Sequence, residues 1–279
     1  MESFTRAGLR FDVTDTGPEG APAVVLLHGF PQAADCWSAI TPALVGAGLR
    51  VLAPDQRGYS PGARPRGRRA YRMDELVADV VALLDAAGVA RAHVVGHDWG
   101  GSVAWALAIW HPDRVATLTS LSTPHPAALL RSFVTSRQAL HSWYMVAFQL
   151  PAAPEWLLAP STPGRRAQFV RTLTRAGLPA DRAEIYADRF AAPGALGAAI
   201  NWYRAIPLLR PGALARRVTV PTLYLWGQRD QYLVAAPARR TADWVAGPYR
   251  LVELPGAGHW LPECNADTVA GLLLDHVRG

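Results

Sequence analysis

The chain has 279 residues, half of them hydrophobic and 18% charged, which allows a sizeable core and excludes an intrinsically disordered protein. Its net charge is +6, but all 28 basic residues are arginine; with abundant Ala, Gly and Pro this reads as compositional bias, and no nucleic-acid partner is expected. No apolar run reaches the ~18 residues of a membrane helix, the first residues lack a signal peptide's apolar stretch, and Cys36 and Cys264 are too few for a disulfide framework, so a cytoplasmic protein without a membrane span is expected.

Residues 9–16 suit an antiparallel edge strand. The first clear buried strand is 23–27 (AVVLL), ending at His28-Gly29. Residues 49–53, 92–95 and 115–121 follow, then, after a long gap, 222–226 and 250–254; each is bounded by Gly, Pro or Asp and has the length of a buried strand. The dense basic cluster Arg64, Arg66, Arg68 and Arg69 sits among Pro65 and Gly67 and reads as a solvated loop. Helical periodicity occupies 73–87, 100–110 and 266–276, the last with Asn265 as its cap. The alternation predicts an α/β fold with a mostly parallel sheet flanked by helices on both faces. From about 124 to 217 no strand pattern occurs, and Trp, Tyr, Leu, Ala and Pro dominate (SWYMVAFQL, PEWLLAP, AAINWYRAI). A helical insertion there would stand over the carboxyl edge of the sheet, where open α/β sheets bind ligands. The expected division is a core of residues 1–124 and 217–279, interrupted by a helical cap over 125–216.

The strongest local signal is Gly96-His97-Asp98-Trp99-Gly100-Gly101, between a strand and a helix. It has the G-x-nucleophile-x-G form of a nucleophile elbow, with aspartate where hydrolases usually place serine. The glycines allow a sharp turn that projects the central side chain into a cleft beside a helix N-terminus. A purely structural turn or a dinucleotide loop is the bland reading, but GHDWGG lacks the Gly-x-Gly-x-x-Gly spacing. Asp230 follows the strand 222–226, and His259 follows 250–254. A lone loop Asp or His is usually a surface or capping residue. Here three such residues stand in the order nucleophile, acid, histidine, each after a strand, which is the α/β-hydrolase order.

From about residue 8 to the C-terminus the chain resembles the epoxide hydrolases of the α/β-hydrolase fold family. His28-Gly29-Phe30-Pro31-Gln32 resembles that group's HGFP segment, and Pro54-Asp55-Gln56-Arg57-Gly58-Tyr59 its PDxRGY turn. Tyr144 with Phe148-Gln149, and Asn201-Trp202-Tyr203-Arg204, resemble the segments that carry two ring-opening tyrosines. The resemblance implies an α/β-hydrolase fold with an inserted cap and Tyr144 and Tyr203 as proton donors. Asp55 and Arg57 are expected to hold a turn, His28 to orient its loop and His97 to pack beside the elbow. Trp37, Phe148 and Trp202 are expected in the substrate pocket, with Trp143 and Trp156 in its wall or in cap packing.

The chemistry has its own logic. A carboxylate is ionised at neutral pH, so Asp98 needs no base to attack an sp³ carbon. Epoxide opening produces an alkoxide, which two phenols, protonated at pH 7, can serve. His259, oriented by Asp230, would then activate water against the resulting ester, with the backbone N–H groups of Phe30 and Trp99 as oxyanion hole. No metal or organic cofactor is called for, only an apolar epoxide and water, in a monomer or homodimer. Two rivals share the pattern. A haloalkane dehalogenase would use the Trp99 indole to hold halide, but needs a second donor, which Phe30 cannot supply and a cap tryptophan would have to; fluoroacetate dehalogenases share HGFPQ but follow the nucleophile with arginine. A binding protein that lost turnover would show a damaged triad or missing donors.

Overall fold

In β3 (Ala23–Leu27) every residue is buried, with Val24 and Leu26 facing one layer and Val25 and Leu27 the other. A parallel strand covered on both faces requires this continuous apolar run. The computed structural model describes residues 1–279 and places β3 within an eight-stranded sheet. In spatial order the strands are β1 (Ser3–Arg6), β2 (Leu9–Thr16), β4 (Arg50–Pro54), β3, β5 (Ala92–His97), β6 (Val115–Leu121), β7 (Thr222–Gly227) and β8 (Tyr249–Leu254). β2 pairs antiparallel with β1 and β4, and all other pairs are parallel. Residues 9–16 are therefore an antiparallel strand but not the edge, because the four-residue β1 lies outside them.

One face of the sheet is covered by α1 (Thr41–Gly46), α12 (Leu261–Cys264) and α13 (Ala266–Arg278), through Leu44, Leu261, Val269 and Leu273. The other is covered by α2 (Met73–Ala86) and α3 (Trp99–Trp110), through residues such as Leu76, Leu83, Val103 and Leu107. Asn265 precedes α13, but its side chain makes no capping bond; its carbonyl accepts from Val269 N at 2.9 Å.

Between β6 and β7 the chain is helical: α4 (Pro126–Thr135), α5 (Gln138–His141), α6 (Trp143–Ala147), α7 (Ala153–Leu158), α8 (Pro163–Arg175), α9 (Ala180–Ala191) and α10 (Ala195–Ala205). A further helix of the core, α11 (Ala235–Arg240), follows β7. No helix is long and apolar enough to cross a membrane. The PDxRGY turn is built on a buried ion pair in which Arg57 Nε and Nη2 donate to the two oxygens of Asp79, each at 2.7 Å. Asp55 Oδ1 accepts from Ala34 N at 2.8 Å, tying the same turn to the chain after β3.

From β3 the chain runs to β4 on one side and then to β5 on the other, so strand order reverses beside β3. The carboxyl ends at this switch point form the crevice in which such sheets hold ligands. His28-Gly29-Phe30, Asp98, Asp230 and His259 all follow the carboxyl ends of strands, β3, β5, β7 and β8 respectively.

Candidate active site

The elbow is built by near-contact of backbones. Asp98 has φ +50° and ψ −119°, a strained conformation for a residue with a side chain. A Cβ on Gly96 would lie 2.2 Å from the Gly100 carbonyl oxygen, and one on Gly100 would lie 2.1 Å from that of Leu27. Only glycine at both positions lets α3 start this close to β3 and β5. Gly29 serves the same end, since a Cβ there would sit 2.4 Å from the Cβ of Asp98. Phe30 N donates to Asp98 Oδ1 at 3.0 Å, and Thr123 Oγ1 donates to the Asp98 carbonyl at 2.7 Å. Trp99 follows directly as the first residue of α3, where amide groups have no intrahelical partner.

His259 Nδ1 lies 2.8 Å from Asp230 Oδ2, while Oδ1 of Asp230 accepts from the amides of Tyr232 (2.8 Å) and Leu233 (3.0 Å). The carboxylate is thus fixed by its own loop and in turn fixes the imidazole. His259 Nε2 stands 3.6 Å from Asp98 Oδ2, too long for a direct hydrogen bond and suited to a group approaching between them. Burial opposes charge on both side chains, but their mutual attraction prevails. The carboxylates of Asp230 and Asp98 push His259 up to about 10, and His259, His97 and the Phe30 amide hold Asp98 below the usual carboxylate range. The resting pair is a carboxylate facing an imidazolium.

Behind this pair lies a buried network that the sequence reading did not assemble. His97 Nδ1 is 2.7 Å from Gln32 Oε1, and its Nε2 is 2.9 Å from the His259 carbonyl, which also accepts from Ser122 Oγ at 2.9 Å. Burial, and the charge of His259, push His97 down to about 3. Gln32 Oε1 also accepts from Gly29 N, and Gln32 Nε2 donates to Glu263 Oε1 at 2.7 Å. Glu263 further accepts from the Tyr186 hydroxyl of α9. The network ties the loop after β3, the elbow, the histidine loop and the insertion together. His28 has a separate role: Gln56 N donates to its Nε2 at 3.1 Å, and burial pushes it down to about 4.

The insertion roofs a cavity of about 530 Å³ whose walls include Asp98, His259, Phe30, Phe148, Tyr144 and Tyr203; 15 of its 22 lining residues are hydrophobic. Tyr144 on α6 and Tyr203 on α10 have ring centroids 6.0 Å apart. Burial, reinforced by the charge of Asp98, pushes both phenols well above their ordinary range, which keeps them protonated. Arg204, next to Tyr203, donates to the carbonyls of Phe148 (3.1 Å) and Leu150 (2.6 Å) and pairs with Glu155, while Gln149 Nε2 donates to the Tyr203 carbonyl at 2.7 Å. These clamps set α10 against the end of α6, and nothing in the local pattern announces them. Tyr232 was also missed: it lines the cavity with its ring 4.8 Å from that of His259.

Two expected pocket residues are elsewhere. Trp37 is fully buried in the layer on the α1 and α13 side of the sheet, because the short helical turn of residues 34–37 after β3 carries it away from the insertion. Trp202 points from α10 into the core, where it packs on Tyr59 and Trp99 and donates from Nε1 to the Arg57 carbonyl at 2.8 Å. One position apart on a helix, Trp202 and Tyr203 cannot share a face. Trp143 lines the cavity, whereas Trp156 is exposed beneath the Arg165 guanidinium. The Trp99 ring lies edge-on against Trp202 and Tyr203, with its indole toward the Tyr203 hydroxyl.

A carboxylate, a carboxylate-oriented imidazole and two phenols thus converge on one apolar chamber, a set able to alkylate, hydrolyse and protonate. A family model of the alpha/beta hydrolase fold matches residues 22–265. The chain is similar to epoxide hydrolase A of Mycobacterium tuberculosis, with 36% identity over 98% of this chain and 95% of that protein. It is also similar to epoxide hydrolase 4 of Mus musculus, with 33% identity over 96% and 76%. Among solved structures, epoxide hydrolase A from Mycobacterium thermoresistibile superposes with a TM-score of 0.84, with 31% identity, covering 99% of this chain and 97% of that one. The chain belongs to the epoxide hydrolases of the α/β-hydrolase fold family.

Proposed function

We propose that the enzyme converts an apolar epoxide and water to a vicinal diol through a covalent ester on Asp98, with residues 125–216 as a cap that delivers the acid groups. Asp98, as carboxylate, attacks one epoxide carbon; the C–O bond breaks, and Tyr144 or Tyr203 gives its proton to the departing oxygen. The tyrosinate regains a proton from the His259 imidazolium. Alkylation removes the Asp98 charge that helps hold that proton, so its loss becomes easier. Neutral His259, oriented by Asp230, then takes a proton from water as the hydroxide adds to Cγ of the ester. The oxyanion is held by the amides of Phe30 and Trp99. Collapse expels the diol alkoxide, which takes the proton of the new Cγ hydroxyl, restoring carboxylate and imidazolium. No step uses a metal or organic cofactor.

The observation that carries this reading is that both tyrosines line the same cavity as Asp98 and His259. The halide-displacing alternative is disfavoured by Phe30, which lines the cavity without a side-chain donor. Two free cysteines, one of them exposed, fit the reducing cytoplasm, where we place the enzyme. Incubation with an aryl or alkyl epoxide and, separately, with a bromoalkane tests the assignment. Diol without bromide is expected. Bromide without diol would establish a dehalogenase, and neither product across a panel of substrates would favour a binding protein or a narrow biosynthetic role.

A further inference from the structure

Charge and exposed apolar surface are segregated together in this molecule. Eight of the ten exposed large hydrophobic side chains fall between Leu130 and Leu157, on α4 to α7 of the insertion and their connections. Residues 126–175 carry six arginines against a single glutamate, a net charge of +5. That glutamate, Glu155, is consumed by its pair with Arg204, and of the six arginines only Arg166 has a carboxylate partner. Residues 56–73 and 189–229 also lack acidic residues, so positive charge alone does not set this stretch apart; its coincidence with the exposed apolar side chains does.

The apolar residues are not scattered. Leu140, Trp143, Leu150 and Leu157 are each more than half exposed and yet line the catalytic cavity, so they form its mouth. Val146, 74% exposed, lies one turn beyond Trp143 on α6, and the exposed Trp156 carries Arg165 over its ring. An exposed apolar rim of this kind marks an interaction surface. Its composition, with two exposed tryptophans among leucine and valine on a segment that also carries unpaired arginines, one of them over Trp156, is that of a surface seated at the interface of an anionic bilayer. A second copy of this chain would bring the same uncompensated positive charge against it, which disfavours self-association through this face.

We propose that the mouth of the cavity docks on anionic lipid membranes, with Trp143, Val146 and Trp156 entering the interface and Arg137 and Arg165 meeting the headgroups. An apolar epoxide dissolved in the acyl layer then reaches Asp98 without crossing water. This delivery rests on the epoxide hydrolase reading, but the docking does not.

Vesicle flotation tests the docking without turnover. The wild-type protein is expected to float with phosphatidylcholine vesicles containing phosphatidylglycerol, and at least about fivefold less with pure phosphatidylcholine or at raised salt. Both Val146→Glu/Trp156→Glu and Arg137→Glu/Arg165→Glu, away from the cavity wall, should lower flotation about tenfold or more while leaving hydrolysis of a small water-dissolved epoxide unchanged. That unchanged hydrolysis reports folding. Absence of flotation with any vesicle would overturn the proposal, as would flotation lost in the arginine variant but kept in the apolar one, which would indicate charge attraction without insertion. A dimer in light scattering that Val146→Glu/Trp156→Glu dissociates, without vesicle binding, would assign the face to a second copy instead.

Discussion

Asp98 is held by contacts that tolerate almost no change: glycines at 29, 96 and 100 that leave no room for a Cβ, and amide and hydroxyl bonds to its own backbone and carboxylate. His259 and Asp230 are similarly fixed by backbone donors and by each other. Tyr144 and Tyr203 are held differently. Their rings stand among Phe30, Phe148, Trp99 and Tyr232, and the helices that carry them are joined by Arg204 and Gln149. On the proposed mechanism, covalent attack rests on rigid backbone geometry and protonation on adjustable side-chain packing. A site made in this way can keep one chemistry while its substrate range changes through the insertion.

The largest effect should come from the rigid region. Asp98→Ala is expected to lower turnover by ~10⁴-fold or more, because no other carboxylate is aimed at the cavity. Residual turnover within tenfold of wild type would remove the sheet edge from the mechanism. Tyr144→Phe combined with Tyr203→Phe should slow formation of the covalent adduct by ~10²- to 10⁴-fold in single-turnover experiments, with adduct hydrolysis little changed. Equal slowing of both steps would erase the division of labour. Arg204→Ala should displace α10 relative to α6 and slow the alkylation step by about tenfold, within the range that misplacement of an acid group produces.

The fold was legible because its strands are short apolar runs cut by turn residues, and because the elbow's glycines are a local steric requirement visible in six consecutive residues. Strand β1 escaped, since four residues with one buried side chain give no period to read. In the insertion the pattern fails for a physical reason. Helices α5 to α7 span four to six residues each, too short for a helical period to separate a cavity wall from a core face. Trp37 and Trp202 show the consequence, since an aromatic residue near a motif has no direction until tertiary packing gives it one. The network of Gln32, His97 and Glu263 joins residues up to 231 positions apart, and no local signal links them.

The smallest predicted effect concerns protonation. With Asp98→Asn one of the two carboxylates that hold the His259 proton becomes neutral, so its pKa should fall from about 10 by about one unit or more, read by NMR of the imidazole. An unchanged value would mean that Asp230 alone sets the charge.

The division between attack and hydrolysis is tested most directly in His259→Gln. Mixed with an epoxide and examined by mass spectrometry, this variant should accumulate a single adduct of substrate mass on the peptide containing Asp98. No adduct, or an adduct on another residue, would contradict the account.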